Sequence, residues 1–210
     1  RAMAGRTLLT IVKDLPQTSP LLSEDENRFS REVAQALSEQ GFISLEVHSL
    51  SYVYVTLASP EANLAGLAKN RRSSLKRKLK SRDRLTIERI PTGAAFADEA
   101  RVDTYYTLFD AVYMQSEIHF DKLTRAFFAD LLRDGGNGGI VFEYRALESG
   151  ALLGWNLCFE HGGKLIDKYI GMSYPAAREA NLYFVSWMVN LEYPLQRGRS
   201  HDAAGSTAPE

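Results

Sequence analysis

The chain has 210 residues, 45% of them hydrophobic and 24% charged, with 25 Lys or Arg against 26 Asp or Glu. That is the balance of a globular protein able to bury a sizeable core, and it excludes a disordered or uniformly basic chain. A single cysteine, Cys158, rules out an intrachain disulfide and a cysteine-built zinc site, and no apolar run reaches the roughly 20 residues that span a bilayer.

Residues 7–12 (TLLTIV) form a short β-branched run and predict a buried strand, ended by Pro16. Residues 23–40 predict a helix: Ser23 with Glu26 three residues on is a capping box, and Gly41 sits at the stop position. Residues 42–57 read as strand in two pieces, the second rich in Tyr and Val. Pro60 then opens a second helix whose apolar stripe is Leu64, Leu67, Ala68, Leu75 and Leu79. Its other faces carry most of the charge asymmetry of the molecule. The window 69–84 holds nine Lys or Arg and one acid, while the rest of the chain carries 16 basic and 25 acidic residues.

Residues 85–90 alternate and predict a strand. Helices follow at about 98–116 and 122–133, each with an aromatic-rich stripe, and the glycine-rich run 134–139 separates them from what comes next. Residues 140–147, 151–160 and 164–172 predict an antiparallel meander, joined by turns at 148–150 and 161–163. Residues 173–181 read as a polar loop or first helical turn, 182–195 as a buried helix, and 198–205 as the start of a further strand.

From residue 85 the order is strand, two helices, three antiparallel strands, helix and strand, and it resembles the core order of the GNAT acyltransferase superfamily. The Arg/Lys-rich helix LAKNRRSSLKRKLK at 67–80, the strand pair at 151–171 ending in Tyr-Ile-Gly, and the helix from Asn181-Leu-Tyr-Phe to Gln196-Arg-Gly198 give a narrower resemblance, to FemAB-like and BioF2-like acyltransferases. The resemblance implies an α/β fold with a mixed, mostly antiparallel sheet. It covers residues 59–210, with residues 1–58 as a partial N-terminal α/β unit and the last core elements missing. Besides those missing elements it departs from the family in a second place: the Gly-rich loop that takes the acyl-CoA pyrophosphate is replaced by Ser173 to Asn181, which contains no glycine.

By that resemblance the chain is a cytoplasmic N-acyltransferase. Its donor is acyl-CoA (acetyl-CoA) or aminoacyl-tRNA, no metal is required, and the acceptor is an amine, a cell-wall precursor of the peptidoglycan type being one. The start of the helix at Tyr183 is the anion site, because free N–H groups and the helix dipole favour phosphate. Ser173, Tyr174, Arg178 and Asn181 stand around it. The family places the acyl group beside the strand 164–172. Asp167 and Tyr169 on it share one face by the two-residue period and form an acid–base pair, with Glu143 on the neighbouring strand as a second base. The basic residues Arg71, Arg72, Lys76, Arg77 and Lys80 suit a polyanion, either tRNA or an anionic lipid-linked substrate. The rival reading is a non-catalytic GNAT-like module that holds nucleic acid or an anionic membrane through the same helix. Four scattered histidines have no ligand spacing, and Cys158 reads as core.

Overall fold

The structure is a computed structural model that describes residues 9–45 except 14, 17 and 21, then residues 53–54, 60–117, 122–197 and 201–203. The chain divides into two compact units, Arg1–His48 and Ser49–Glu210.

In the first unit, α1 (Glu24–Glu39) begins as its sequence predicts. The Ser23 hydroxyl accepts the Glu26 amide at 3.2 Å, and the Glu26 carboxylate accepts the Ser23 amide at 2.8 Å. Gly41 ends the helix with a φ of +85°. The strand expected at 7–12 does not form across residues 9–12, where Leu9, Ile11 and Val12 are exposed. β propensity describes how a side chain fits a paired, half-covered surface, and these residues join no ladder.

The second unit carries a six-stranded sheet in the order β1-β6-β5-β4-β3-β2, formed by β1 (Val53–Tyr54), β2 (Leu85–Pro91), β3 (Gly139–Ala146), β4 (Leu152–His161), β5 (Lys164–Met172) and β6 (His201–Ala203). All pairings are antiparallel except β5 with β6, so the sheet is mixed and mostly antiparallel, as expected. Gly162 and Gly163 turn the β4–β5 hairpin with φ of +54° and +77°, the backbone that a two-residue hairpin requires.

Two cores lie on opposite faces of the sheet. On one, α4 (Glu99–Gln115) and α5 (Arg125–Arg133) bury Phe96, Tyr105, Phe128 and Leu132 against Val141, Trp155 and Leu157. On the other, α7 (Leu182–Gln196) buries Leu182, Val185 and Val189 against Phe142, Tyr144, Cys158 and Leu165. The buried helix expected at 182–195 is thus present, and a single turn, α6 (Ala176–Glu179), precedes it.

The helix expected to run unbroken from Pro60 is two helices, α2 (Pro60–Ala65) and α3 (Lys69–Leu79), parted at Gly66 and Leu67. Gly66 lowers helix propensity at the break, and the Arg72 guanidinium donates to the Ala65 carbonyl at 2.9 Å, closing the end of α2. Leu64 is buried, and Leu79 packs on the α7 core.

Candidate functional site

The larger of two notable cavities, about 340 Å³, opens where β5 ends and α7 begins. Four residues chosen from the sequence as donor-binding line it: Tyr174, Arg178, Asn181 and Tyr183. Ser173 does not. Its backbone holds the turn, its amide donating to the Leu153 carbonyl and its carbonyl accepting the Ala177 amide, both at 2.8 Å.

The rim is organised by short contacts. The Arg178 guanidinium lies 5.1 Å from the Tyr174 ring centre and donates to Gln115 Oε1 at 2.5 Å. Burial raises the Tyr174 phenol above its ordinary pKa, and Arg178 opposes that only in part. Asn181 takes a left-handed φ of 50° and gives no side-chain cap to α7. Its Nδ2 donates instead to Ser81 Oγ at 3.1 Å. Tyr183 is half exposed, edge-on to Phe184.

Sequence reading missed the apolar wall: Val112 of α4, Ile170 and Met172 of β5, and Leu182 and Phe184 of α7. Val112 belongs to the apolar stripe of the helix expected at 98–116, but nothing in that stripe says which of its residues meets a cleft.

None of the three residues expected to catalyse lines this cleft, and the shared face expected for Asp167 and Tyr169 is overturned. Leu157 stands opposite Tyr169 and Cys158 opposite Asp167, so Lys168 is the extra residue of a β-bulge. A bulge breaks the two-residue alternation and sends the flanking side chains to opposite faces. Tyr169 packs edge-on to Phe109 of α4, while Asp167 faces α7.

Asp167 belongs to a buried polar chain. Tyr144 donates its hydroxyl proton to Asn156 Oδ1 at 2.7 Å, Asn156 Nδ2 donates to Asn190 Oδ1 at 3.0 Å, and Asn190 Nδ2 donates to Asp167 Oδ2 at 2.7 Å. Burial pushes the Asp167 carboxyl up to about 6, although the bonds from Asn156, Cys158 and Asn190 pull the other way. Glu143 is buried on the α4 face. It accepts from the Tyr105 hydroxyl, from Arg101 at 3.2 Å and from Arg145 at 2.5 Å. Burial would raise its pKa, but these three partners together outweigh it and hold the carboxylate below its usual range.

The basic residues divide by what they touch. Arg71, Lys76, Arg77 and Lys80 are exposed, whereas Arg72 is committed to the Ala65 carbonyl. The segment meets the cleft directly: the Lys78 ammonium lies 3.5 Å over the Phe184 ring, and Ser81 bonds Asn181. Among the described residues, no group of three His, Cys, Asp or Glu could hold a metal ion, and no helix is long and apolar enough to cross a membrane.

A family model described as an acetyltransferase (GNAT) domain matches residues 69–198. No curated protein matches the chain. Among solved structures, FemX is similar at 14% identity and a TM-score of 0.57, over 85% of this chain and 61% of its own. The C-terminal domain (DUF2156) of a lysylphosphatidylglycerol synthetase candidate from Agrobacterium fabrum is similar at 12% and 0.56, over 84% and 52%. L-PGS from Bacillus licheniformis is similar at 9% and 0.55, over 82% and 49%. The likeness to these three is one of fold, and the chain spans less than two thirds of the length of each.

Proposed function

The chain belongs to the GNAT acetyltransferase family, and on that premise we propose that it is an N-acyltransferase which seats the acyl-bearing end of its donor in the cleft between β5 and α7 and passes the acyl group to an amine. The observation that carries this reading is the cleft itself, which gathers Tyr174, Arg178, Asn181 and Tyr183 around an apolar slot. The slot fits the hydrocarbon arm of an acyl thioester or the acylated end of a tRNA. Its volume of about 340 Å³ is small for a ligand site, room for the acyl-bearing end and not for a whole nucleotide-carrying donor.

The anionic remainder of the donor then falls on the exposed cations Arg71, Lys76, Arg77 and Lys80, which adjoin the cleft through Lys78 and Ser81. That arrangement, with a loop 173–181 that lacks glycines, favours aminoacyl-tRNA over acyl-CoA. The name of the Agrobacterium neighbour, which denotes a lysyl group joined to a phospholipid, agrees with an aminoacyl donor. A cell-wall precursor amine is the first acceptor to test.

In the transfer the amine nitrogen bonds to the acyl carbon and gives up a proton, the bond to the leaving sulfur or ribose oxygen breaks, and the leaving atom takes a proton. A phenol that protonates the leaving atom is thus restored by the proton the amine releases. Tyr174 and Tyr183 are the phenols at the cleft. A phenol held above its ordinary pKa, as Tyr174 is, stays protonated at neutral pH and can donate that proton. Asp167, Tyr169 and Glu143 are assigned to holding the strands in place, since none of the three lines the cleft.

The test compares thermal shifts with charged tRNA and with acetyl-CoA at two salt concentrations. The proposal expects a tRNA shift that salt weakens and that Arg71/Lys76/Arg77/Lys80→Ala abolishes. A shift with acetyl-CoA that ignores those substitutions overturns the choice of donor. A second reading, a non-catalytic GNAT-like module on nucleic acid or an anionic membrane, draws on the absence of Asp167, Tyr169 and Glu143 from the cleft. It is favoured if tRNA binds and no labelled aminoacyl group reaches any amine acceptor.

A further inference from the structure

A smaller cavity, about 120 Å³, lies along the other half of α7, between that helix and β2. Tyr183, at the cleft, and Glu192, at this cavity, are nine residues apart on the same helix, about 14 Å along its axis. The transfer reading makes no use of this second cavity.

Two guanidiniums, Arg82 and Arg89, line it. Each is held in position but has donors to spare. Arg82 donates through NH1 to Glu192 Oε1 at 2.5 Å, and Arg89 through NH2 to Gln196 Oε1 at 2.7 Å. A guanidinium has five N–H donors in a rigid fork. The Tyr193 ring fixes the plane of Arg89, whose guanidinium carbon stands 5.3 Å from the ring centre. Behind these groups Ile87 and Phe142 make an apolar floor.

The charges set the ligand. Two cations against the one carboxylate of Glu192 leave a net positive wall that attracts a single negative charge. The planar forks match a carboxylate through paired hydrogen bonds. The apolar floor favours a ligand with a hydrocarbon body over a bare hydrated ion, and the carboxylate of Glu192 can receive an ammonium group. We propose that this cavity is a recognition site for a small carboxylate of the amino-acid class, either a free amino acid or the C-terminal residue of a peptide.

The test is calorimetric titration of the chain with L-alanine, L-alanyl-L-alanine, L-alaninamide and inorganic phosphate. The expected result is binding of alanine or the dipeptide, with alaninamide about tenfold weaker or more, the loss of one charge-assisted pair. Binding by alanine assigns a free amino acid, and binding by the dipeptide alone assigns a peptide end. Arg89→Gln should weaken either by about tenfold or more, and Arg89→Lys by less, because it keeps the charge and loses the fork. Arg89 is chosen because Arg82 anchors Glu192; an unchanged unfolding midpoint for Arg89→Gln shows that the fold survives. The proposal fails if alanine and alaninamide bind alike, if phosphate binds as well as the carboxylates, or if no carboxylate binds at millimolar concentration.

Discussion

Two carboxyls on opposite faces of one sheet, Glu143 fully buried and Asp167 partly so, are stabilised in opposite ways. Glu143, under α4, is surrounded by cationic and hydroxyl donors: Arg101, Arg145 and Tyr105. Asp167, under α7, receives two amides and a thiol and no cation. Burial acts on both, yet one is held below its ordinary pKa and the other is raised to about 6. The difference shows that depth alone does not set the charge of a buried carboxyl; its partners do. It also separates a face built as scaffold from a face that lies beside the cleft.

The comparison is broken most forcefully at Glu143. Glu143→Ala leaves a buried phenol without its acceptor and empties a buried site, at a cost of about 3 kcal/mol, while the two guanidiniums reach water and add little. Denaturant unfolding should show that loss. A change below about 1 kcal/mol would mean that the cluster is solvated and that the α4 face is no charged scaffold.

The second prediction concerns pH. In the folded chain Asp167 keeps its proton up to about 6, and in the unfolded chain it releases it near 3.8. Between those values the folded state binds more protons, so stability falls as pH rises from about 4 to about 6, by up to about 3 kcal/mol. Glu143 has the opposite sign. Its depressed pKa adds stability above its ordinary value of 4.5, and that stability is lost as the pH drops through the lowered one. Asp167→Asn should remove the decline between pH 4 and 6 and leave the acid-side loss intact. If the wild type and this variant give parallel stability curves, the Asp167 carboxyl does not titrate above its ordinary range in the folded chain.

How much of this was legible in the sequence depends on whether the deciding interactions were local. The capping box at Ser23, the meander with Gly162–Gly163 at its tip, and the buried helix from Leu182 follow from neighbours a few residues away. So does the loop-to-helix segment that supplies Tyr174, Arg178, Asn181 and Tyr183 to the cleft. The bulge at Lys168 was invisible: no glycine marks it, and it exists only in the register between β4 and β5. That single unseen residue separated Asp167 from Tyr169 and removed the acid–base pair the alternation had suggested. The cleft wall at Val112 was hidden for a related reason, since which end of a helix overhangs a strand is a tertiary fact.

The third prediction probes close packing on both faces at once. A Cβ at Gly154 would meet Leu182 Cδ2 and the Gly171 carbonyl, each at 2.6 Å, on the α7 side. A Cβ at Gly171 would meet Trp155 Nε1 at 2.5 Å on the α4 side. Each Gly→Ala change overpacks and should cost about 1–3 kcal/mol. The two should part in their effect on the donor. Gly154→Ala pushes on Leu182, which lines the cleft, and should weaken donor binding, while Gly171→Ala pushes on the tryptophan and should act through stability alone. Equal effects on binding would erase the distinction between the faces.

The smallest expected effects come from helix starts, and they test that distinction most finely. On the scaffold face, α4 is capped by Asp98, which accepts the Ala100 amide at 3.0 Å, and α5 by Thr124, which accepts the Phe127 amide at 3.2 Å. On the other face, α7 starts from Asn181, whose side-chain amide is spent on Ser81 and whose φ of 50° lies in the left-handed region that glycine adopts most easily and asparagine tolerates. Asp98→Ala should therefore lose about 1 kcal/mol of stability and leave donor affinity unchanged. Asn181→Gly should do the reverse. Relief at the left-handed position is worth up to about 1 kcal/mol and is set against one lost hydrogen bond of similar size, so stability should barely move. The tie between the basic segment and the cleft would be cut, and affinity for charged tRNA should fall. If both substitutions change stability alone, the start of α7 is ordinary scaffold and the donor must be sought elsewhere on the molecule.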